Sequence, residues 1–128
     1  MPDQQCPCGT GSPLSRCCQP LLAGTKRAVT ALELMRSRYT AFTLNDAAYL
    51  AASWHPSTRP ADVTVPAGIE WRRLRIRDTQ LGGPDDVTGA VEFVAHFRTQ
   101  DGTRDFLHER SRFERHDGRW VYVDGELF

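Results

Sequence analysis

Residues 87–124 read VTGAVEFVAHFRTQDGTRDFLHERSRFERHDGRWVYVD, and two dipeptides inside the stretch, Asp101-Gly102 and Asp117-Gly118, decide how it folds. Asp-Gly between alternating apolar runs is a strong hairpin signal, because a type I′ turn needs positive φ at both central residues. The stretch predicts three antiparallel strands, with 87–100 joined to 103–116 and 103–116 joined to 119–124. Val87, Val91, Phe93, Ala95 and Phe97 share one face of the first strand. If both loops hold two residues, Phe97 faces Phe106, Ala95 faces His108 and Glu114 faces Val121. Phe93, Arg110, Arg112 and Val123 then join that face, and Glu92, Val94, His96, Leu107, Glu109, Ser111, Phe113, Trp120, Tyr122 and Asp124 take the other. One face packs on helices; the other is a homodimer surface or a solvated skin. A one-residue slip would exchange the two sets.

Upstream, Ile69, Trp71, Leu74 and Ile76 recur in a broken alternation over residues 69–78, the pattern of a bulged strand. Gly82-Gly83-Pro84-Asp85-Asp86 is a loop. Further back the period becomes helical. Thr30-Ala31-Leu32-Glu33 is a capping box, followed by an apolar stripe of Leu32, Met35, Tyr39 and Phe42 with Arg36 and Arg38 off it. Asn45 or Asp46 caps a second helix that buries Ala47, Leu50, Ala51 and Trp54 and ends before Pro56. Residues 57–67, with Pro60 and Pro66, read as irregular. Two helices before a four-strand antiparallel meander predict an α+β domain over residues 25–128.

All four cysteines lie ahead of it, in Cys6-Pro7-Cys8-Gly9-Thr10-Gly11-Ser12-Pro13-Leu14-Ser15-Arg16-Cys17-Cys18. Thiolates bind Zn²⁺ tetrahedrally, and a closed set of four leaves no position open to substrate. Gly9 and Gly11 let the backbone turn beneath the ion, and backbone N–H groups there can support the sulfurs. Two disulfides, unrelated free thiols and an iron–sulfur cluster are the competing readings. Disulfides need an oxidising compartment, and the C-x₂-C runs of ferredoxins are absent. The spacing favours a metal, zinc before others, over residues 1–24.

This cysteine stretch resembles the SEC-C motif, the zinc knuckle at the C-terminus of the SecA translocation motor. That pattern runs C-x-C-G-S-G, five residues, then C and C or H. Cys6, Cys8, Cys17 and Cys18 fall on its ligand positions, and Thr10 replaces its serine. The motor's loop carries lysines and an aromatic; this one has Ser12, Pro13, Leu14 and Ser15, with only Arg16 basic. Metal binding is what the resemblance implies. An N-terminal knuckle followed by Pro20, Gly24 and Leu34-Met35-Arg36-Ser37-Arg38-Tyr39-Thr40-Ala41-Phe42 is similar to the bacterial YchJ-like family over nearly the whole chain. That likeness implies an NTF2-like cone behind the knuckle, with helices packed on a curved antiparallel four-strand sheet.

Composition bounds the rest. The 128 residues allow one modest core. No apolar run approaches membrane-spanning length and no basic-then-apolar leader is visible, so a cytoplasmic location and no membrane partner are expected. Sixteen basic and sixteen acidic residues cancel, which argues against nucleic-acid binding driven by net charge; all the basic residues but Lys26 are arginine.

No nucleophile–base–orienter set is legible, so no catalytic residue is assigned. His96 with Glu92 and Glu109, or His108 with Arg110 and Arg112, are candidate acid–base groups, against the plainer reading of cross-strand charge pairing. His55 reads as a helix C-terminal cap, and Arg72, Arg73, Arg75 and Arg77 as a solvated edge strand. Arg36, Arg38 and Tyr39 frame a pocket mouth or simply a helix surface. Two functional readings follow. The first is a zinc-stabilised binding or adaptor module, presenting the knuckle to a protein partner with Leu14 exposed at the tip and residues 25–128 folding independently. The second is a small enzyme with a His–carboxylate pair in the cone and a purely structural zinc.

Overall fold

The computed structural model describes residues 4–128. Four strands, β1 (Ile69–Leu81), β2 (Thr88–Thr99), β3 (Arg104–His116) and β4 (Arg119–Leu127), form one antiparallel sheet in the order β1-β2-β3-β4. A short helix α1 (Gln19–Leu22) precedes α2 (Ala31–Thr43) and α3 (Ala47–Ala52). No helix is long and apolar enough to cross a membrane among the described residues.

Local chemistry sets the helix ends. Thr30 is extended at the N-cap of α2, and its Oγ1 accepts from Glu33 N at 3.1 Å. Glu33 reaches back to Val29 N at 2.9 Å, one residue beyond the box read from sequence. Asn45, at φ 58°, makes the left-handed turn out of α2, which leaves Asp46 to cap α3 by accepting from Tyr49 N at 3.0 Å. His55 is not a helix cap. It lies beyond Ser53, the C-cap of α3, and its Nδ1 accepts from Ser57 N at 3.0 Å.

Helix α2 is enclosed on more than one stripe. Leu34, Met35 and Tyr39 are buried, but so are Ser37, Thr40 and Arg38. Ser37 Oγ donates to Leu34 O and lies 2.6 Å from Tyr49 Oη of α3. These polar residues are tolerated because each is hydrogen-bonded. Of the two readings of Arg38, a helix surface gives way to a place in a cavity wall.

The bulges of β1 fall between Trp71 and Arg73 and between Ile76 and Asp78. Each extra residue resets the alternation, so Trp71, Leu74 and Ile76 oppose Phe97, Ala95 and Phe93. The β3–β4 turn is the two-residue Asp117-Gly118 turn, with φ values of 52° and 80°, and Glu114 pairs with Val121 as expected.

The β2–β3 register corrects the two-residue expectation. Phe97 pairs with Asp105 and Ala95 with Leu107, one residue from the predicted partners Phe106 and His108. Thr99 N donates to Thr103 O at 2.9 Å and Gly102 N to Thr99 O at 3.0 Å, which closes a three-residue loop with Gly102 at φ 86°. The Asp101 carboxylate selects this form by accepting from Thr103 N at 3.1 Å and from Thr99 Oγ1. Phe93 and Ala95 consequently share the inner face with Leu107, Glu109, Ser111 and Phe113. Glu92, His96, Phe106, His108 and Arg110 share the outer one.

The start of α2 docks on the β1–β2 connection, where Ala31 N donates to Gly82 O at 2.9 Å. A side chain at Gly89 would meet Gly82 Cα at 2.6 Å and Ala31 Cβ at 3.1 Å. Gly89→Ala is expected to cost roughly 1–3 kcal/mol through this overpacking. Chemical denaturation measures it, and an unchanged midpoint would contradict the close approach.

Candidate metal centre

The knuckle is a miniature hairpin followed by one tight turn. Cys6 N donates to Ser12 O at 2.9 Å, Leu14 N to Gln4 O at 2.8 Å, and Gln5 pairs with Pro13. Gly9, at φ 86°, closes the tip by donating to Cys6 O at 3.2 Å. A 3₁₀ turn over Leu14–Arg16 then delivers Cys17 and Cys18 to the first pair, with Cys17 N donating to Leu14 O at 3.1 Å.

The four Sγ atoms all lie within 4.8 Å of one another. Cys8 and Cys17 are 3.5 Å apart and Cys17 and Cys18 4.0 Å. Tetrahedral coordination with Zn–S lengths of about 2.3 Å sets sulfur separations of about 3.8 Å, so the set has the dimensions of a metal site. The cysteines are free rather than paired in disulfides. Cys6, Cys8 and Cys18 are 4%, 0% and 1% exposed, whereas Cys17 is half-buried.

Charge explains how such a cluster could hold a cation. A hydrogen bond from Cys18, aided by one from the Thr10 backbone, holds the Cys8 thiol down at about 4 against the opposing effect of burial. Cys17 is pushed up by burial, and Cys18 is pushed up first by its hydrogen bond to Cys8 and then by burial. The shifts of Cys8 and Cys18 run in opposite directions, as neighbouring like charges in one site require. A divalent ion would let all four ionise. Hydroxyls stand around the sulfurs: Thr10 Oγ1 is 3.2 Å from Cys17 Sγ, and Thr40 Oγ1 is 3.6 Å from Cys6 Sγ.

The knuckle shares the core of the sheet and helices. Cys6, Cys8 and Cys18 belong to the buried cluster of Leu34, Met35, Tyr39 and Leu74, and Arg36 Nη1 donates to Cys8 O at 2.6 Å. Leu14 is half-buried against that cluster, not exposed at a tip as expected, because the 3₁₀ turn rolls it onto the core and leaves Ser15 and Arg16 outside.

The remaining candidates separate by face. His108 Nε2 lies 2.8 Å from Glu92 Oε2, and Arg110 bridges Glu92 at 3.3 Å and Asp78 at 3.1 Å, all on the outer face. The hydrogen bond from His108 holds the Glu92 carboxyl below its ordinary range. Arg112 pairs there with Asp124 at 2.5 Å. His96 is not brought together with Glu109, which faces inward. Arg72, Arg73, Arg75 and Arg77 are exposed along β1, an edge strand of the sheet as expected, and Arg72 pairs with Glu70 at 2.6 Å.

Inside the cone lies a cavity of about 330 Å³, whose lining includes Arg38, Tyr39, Trp54, Trp71, Glu109 and Tyr122 and no histidine. It is not the His–carboxylate pocket of the enzyme reading. Sequence reasoning named Arg38 at a pocket mouth and Glu109 as an acid–base candidate, but it missed Ser111 and the way the three line one cavity. Ser111 amid the alternating strand was the available signal, but its facing depended on the register.

Arg36→Ala is expected to cost about 1–3 kcal/mol by removing the charged bond to Cys8 O. Amide exchange should quicken at Gly9 and Cys18 and stay unchanged in β2 and β3. Unchanged stability and unchanged exchange in the knuckle would mean that this bond holds nothing.

Relatives extend over the whole chain. Residues 30–125 match the family described as YchJ, middle NTF2-like domain. The UPF0225 protein SCO1677 of Streptomyces coelicolor is 49% identical over 127 residues, covering 99% of this chain and 98% of that protein. The UPF0225 protein CE1570 of Corynebacterium efficiens is 46% identical, covering 98% and 95%. Among solved structures, the solution structure of RPA3114, a SEC-C motif containing protein from Rhodopseudomonas palustris, superposes with a TM-score of 0.87 at 36% identity, covering 98% of this chain and 99% of that one. The crystal structure of a SEC-C motif containing protein from Psychrobacter arcticus gives 0.78 at 28% identity, covering 98% and 83%. With its four-strand cone, its N-terminal cysteine cluster and these relatives, the chain belongs to the YchJ-like family, with an NTF2-like domain behind a SEC-C motif.

Proposed function

We propose that Cys6, Cys8, Cys17 and Cys18 hold one Zn²⁺ as a closed structural centre, and that the chain is a zinc-stapled binding module. The observation that carries this reading is the set of four sulfurs within 4.8 Å, three of them less than 5% exposed. An all-thiolate set suits a soft or borderline ion such as zinc over the hard oxygen-loving cations. Four protein ligands also leave no coordination position for a substrate. The ion would neutralise the thiolates and fix a segment too short to have a core of its own. Thiols kept reduced for a metal fit a cytoplasmic location.

The solvent-exposed part of the knuckle is polar and includes Thr10, Gly11, Ser12 and Arg16. A photo-crosslinking residue at Ser12 should give one discrete heteromeric adduct in cells. The same residue placed at Asp85, exposed on the β1–β2 loop, should not, and equal labelling from both would contradict the adaptor role.

Elemental analysis of chain purified without added metal should find close to one zinc per chain; freely alkylated thiols and no bound metal would sink the reading. Thr10→Val should weaken zinc retention against a chelator by about 10–100-fold, and Thr10→Ser should restore it, since the hydroxyl beside Cys17 supports the ligand. Equal retention in all three would remove Thr10 from the metal centre.

A further inference from the structure

The cavity inside the cone holds a buried cation that no carboxylate touches. Arg38 is 6% exposed, yet its Nη1 donates only to neutral acceptors, Leu50 O at 2.9 Å and Ser53 Oγ at 2.6 Å. Its guanidinium lies 4.6 Å over the Tyr122 ring and 5.2 Å from the Trp54 ring centre. Those faces soften the charge without neutralising it. No carboxylate lies within ion-pair distance of Arg38 among the described residues. Buried charges are ordinarily paired, because desolvation makes a lone one costly.

The other polar wall has the opposite sign. Ser111 Oγ donates to Glu109 Oε2 at 2.5 Å and Tyr122 Oη donates to the same oxygen at 3.3 Å. Oε1 keeps its capacity to accept. The ring of Tyr122 thus stands between the cation and the anion. Two further donors, the indole N–H groups of Trp54 and Trp71, are buried with no acceptor. The cavity lining thus carries a cation, an acidic acceptor and aromatic side chains. Its volume of about 330 Å³ is at the small end of ligand pockets, enough for one ring.

We propose that this cavity binds a small monocarboxylate with a ring-sized apolar body, the carboxylate pairing with Arg38 and a hydrogen-bond donor at the far end meeting Glu109. The planar guanidinium offers a carboxylate two parallel bonds, and Trp54, Trp71 and Tyr39 offer a ring stacked or edge-on contacts. Glu109 excludes a second anionic group and favours a hydroxyl. This site is separate from the zinc and from the rim of the knuckle, so the inference goes beyond the proposed function.

The test uses the full chain as purified and follows the indole N–H signals of its three tryptophans. Trp54 and Trp71 line the cavity, while Trp120 donates to Val29 O at 3.1 Å outside it and serves as an internal reference. Titration with 4-hydroxybenzoate should shift the first two saturably and leave the third in place. 4-Hydroxybenzamide, which lacks the charge, should bind about tenfold more weakly or worse. Benzoate, which lacks the donor, should also lose affinity, and benzylamine should not bind. Arg38→Gln should abolish the preference for the anion over the amide, and Glu109→Gln the preference for the hydroxyl. Equal affinity for all four probes would reduce the site to an apolar hole. No saturable shift at millimolar 4-hydroxybenzoate would mean that water alone fills it, and tightest binding of benzylamine would make Glu109 the unpaired charge. Each of these outcomes overturns the proposal. If Arg38→Gln fails to fold, the comparison of anion with amide on the unmodified chain decides alone. None of these arms reads zinc, so they succeed or fail apart from the metal assignment.

Discussion

Four sulfur atoms within 4.8 Å of one another cannot all be thiolates unless a cation sits among them. That constraint reaches well past the knuckle, because three of the sulfurs are part of the main core. Whatever neutralises them also fixes the hairpin tip at Gly9, the 3₁₀ turn and the start of α1. It further fixes the side of α2 that carries Arg36 and Thr40. Residues of the same helix, Met35, Arg38 and Tyr39, form part of the cavity wall. One helix therefore links the cysteine cluster to the interior of the cone.

Much of this was legible in the sequence where the physics is local. The capping Thr30, a cap at Asn45 or Asp46, the Asp117-Gly118 turn and the broken alternation of β1 all depend on residues a few positions apart. The clustering of Cys6, Cys8, Cys17 and Cys18 was legible for a similar reason, since two close pairs joined by a glycine-bearing loop have few ways to sit. The β2–β3 register was not. Asp101-Gly102 is compatible with a two-residue turn, and the choice fell to the Asp101 side chain, whose bonds to Thr99 and Thr103 favour a longer loop. That single residue of slip moved Glu109, Ser111 and Phe113 to the same side as Phe93 and hid the polar interior from sequence reasoning.

The burial of Arg38 and of Leu14 escaped for a different reason. A helical stripe tells which residues face the largest neighbour, and α2 has three neighbours: the sheet, α3 and the knuckle. Arg38 is buried because the carbonyl of Leu50 and the hydroxyl of Ser53 meet it there. Leu14 turned inward because the knuckle packs on the core instead of projecting from it. Both facts belong to tertiary docking, which no local pattern encodes.

The claim that the metal knuckle and α2 form one structural unit is tested most directly by native-state amide exchange with and without bound metal. In the metal-loaded chain, amides of Ser37–Ala41 should be protected to a level near that of β2 and β3. After chelation, protection in α2 should fall by at least about tenfold, equivalent to about 1.4 kcal/mol, while β2 and β3 retain theirs. Unchanged protection across α2 in the metal-free chain would contradict the account and return the knuckle to the status of a separate appendage.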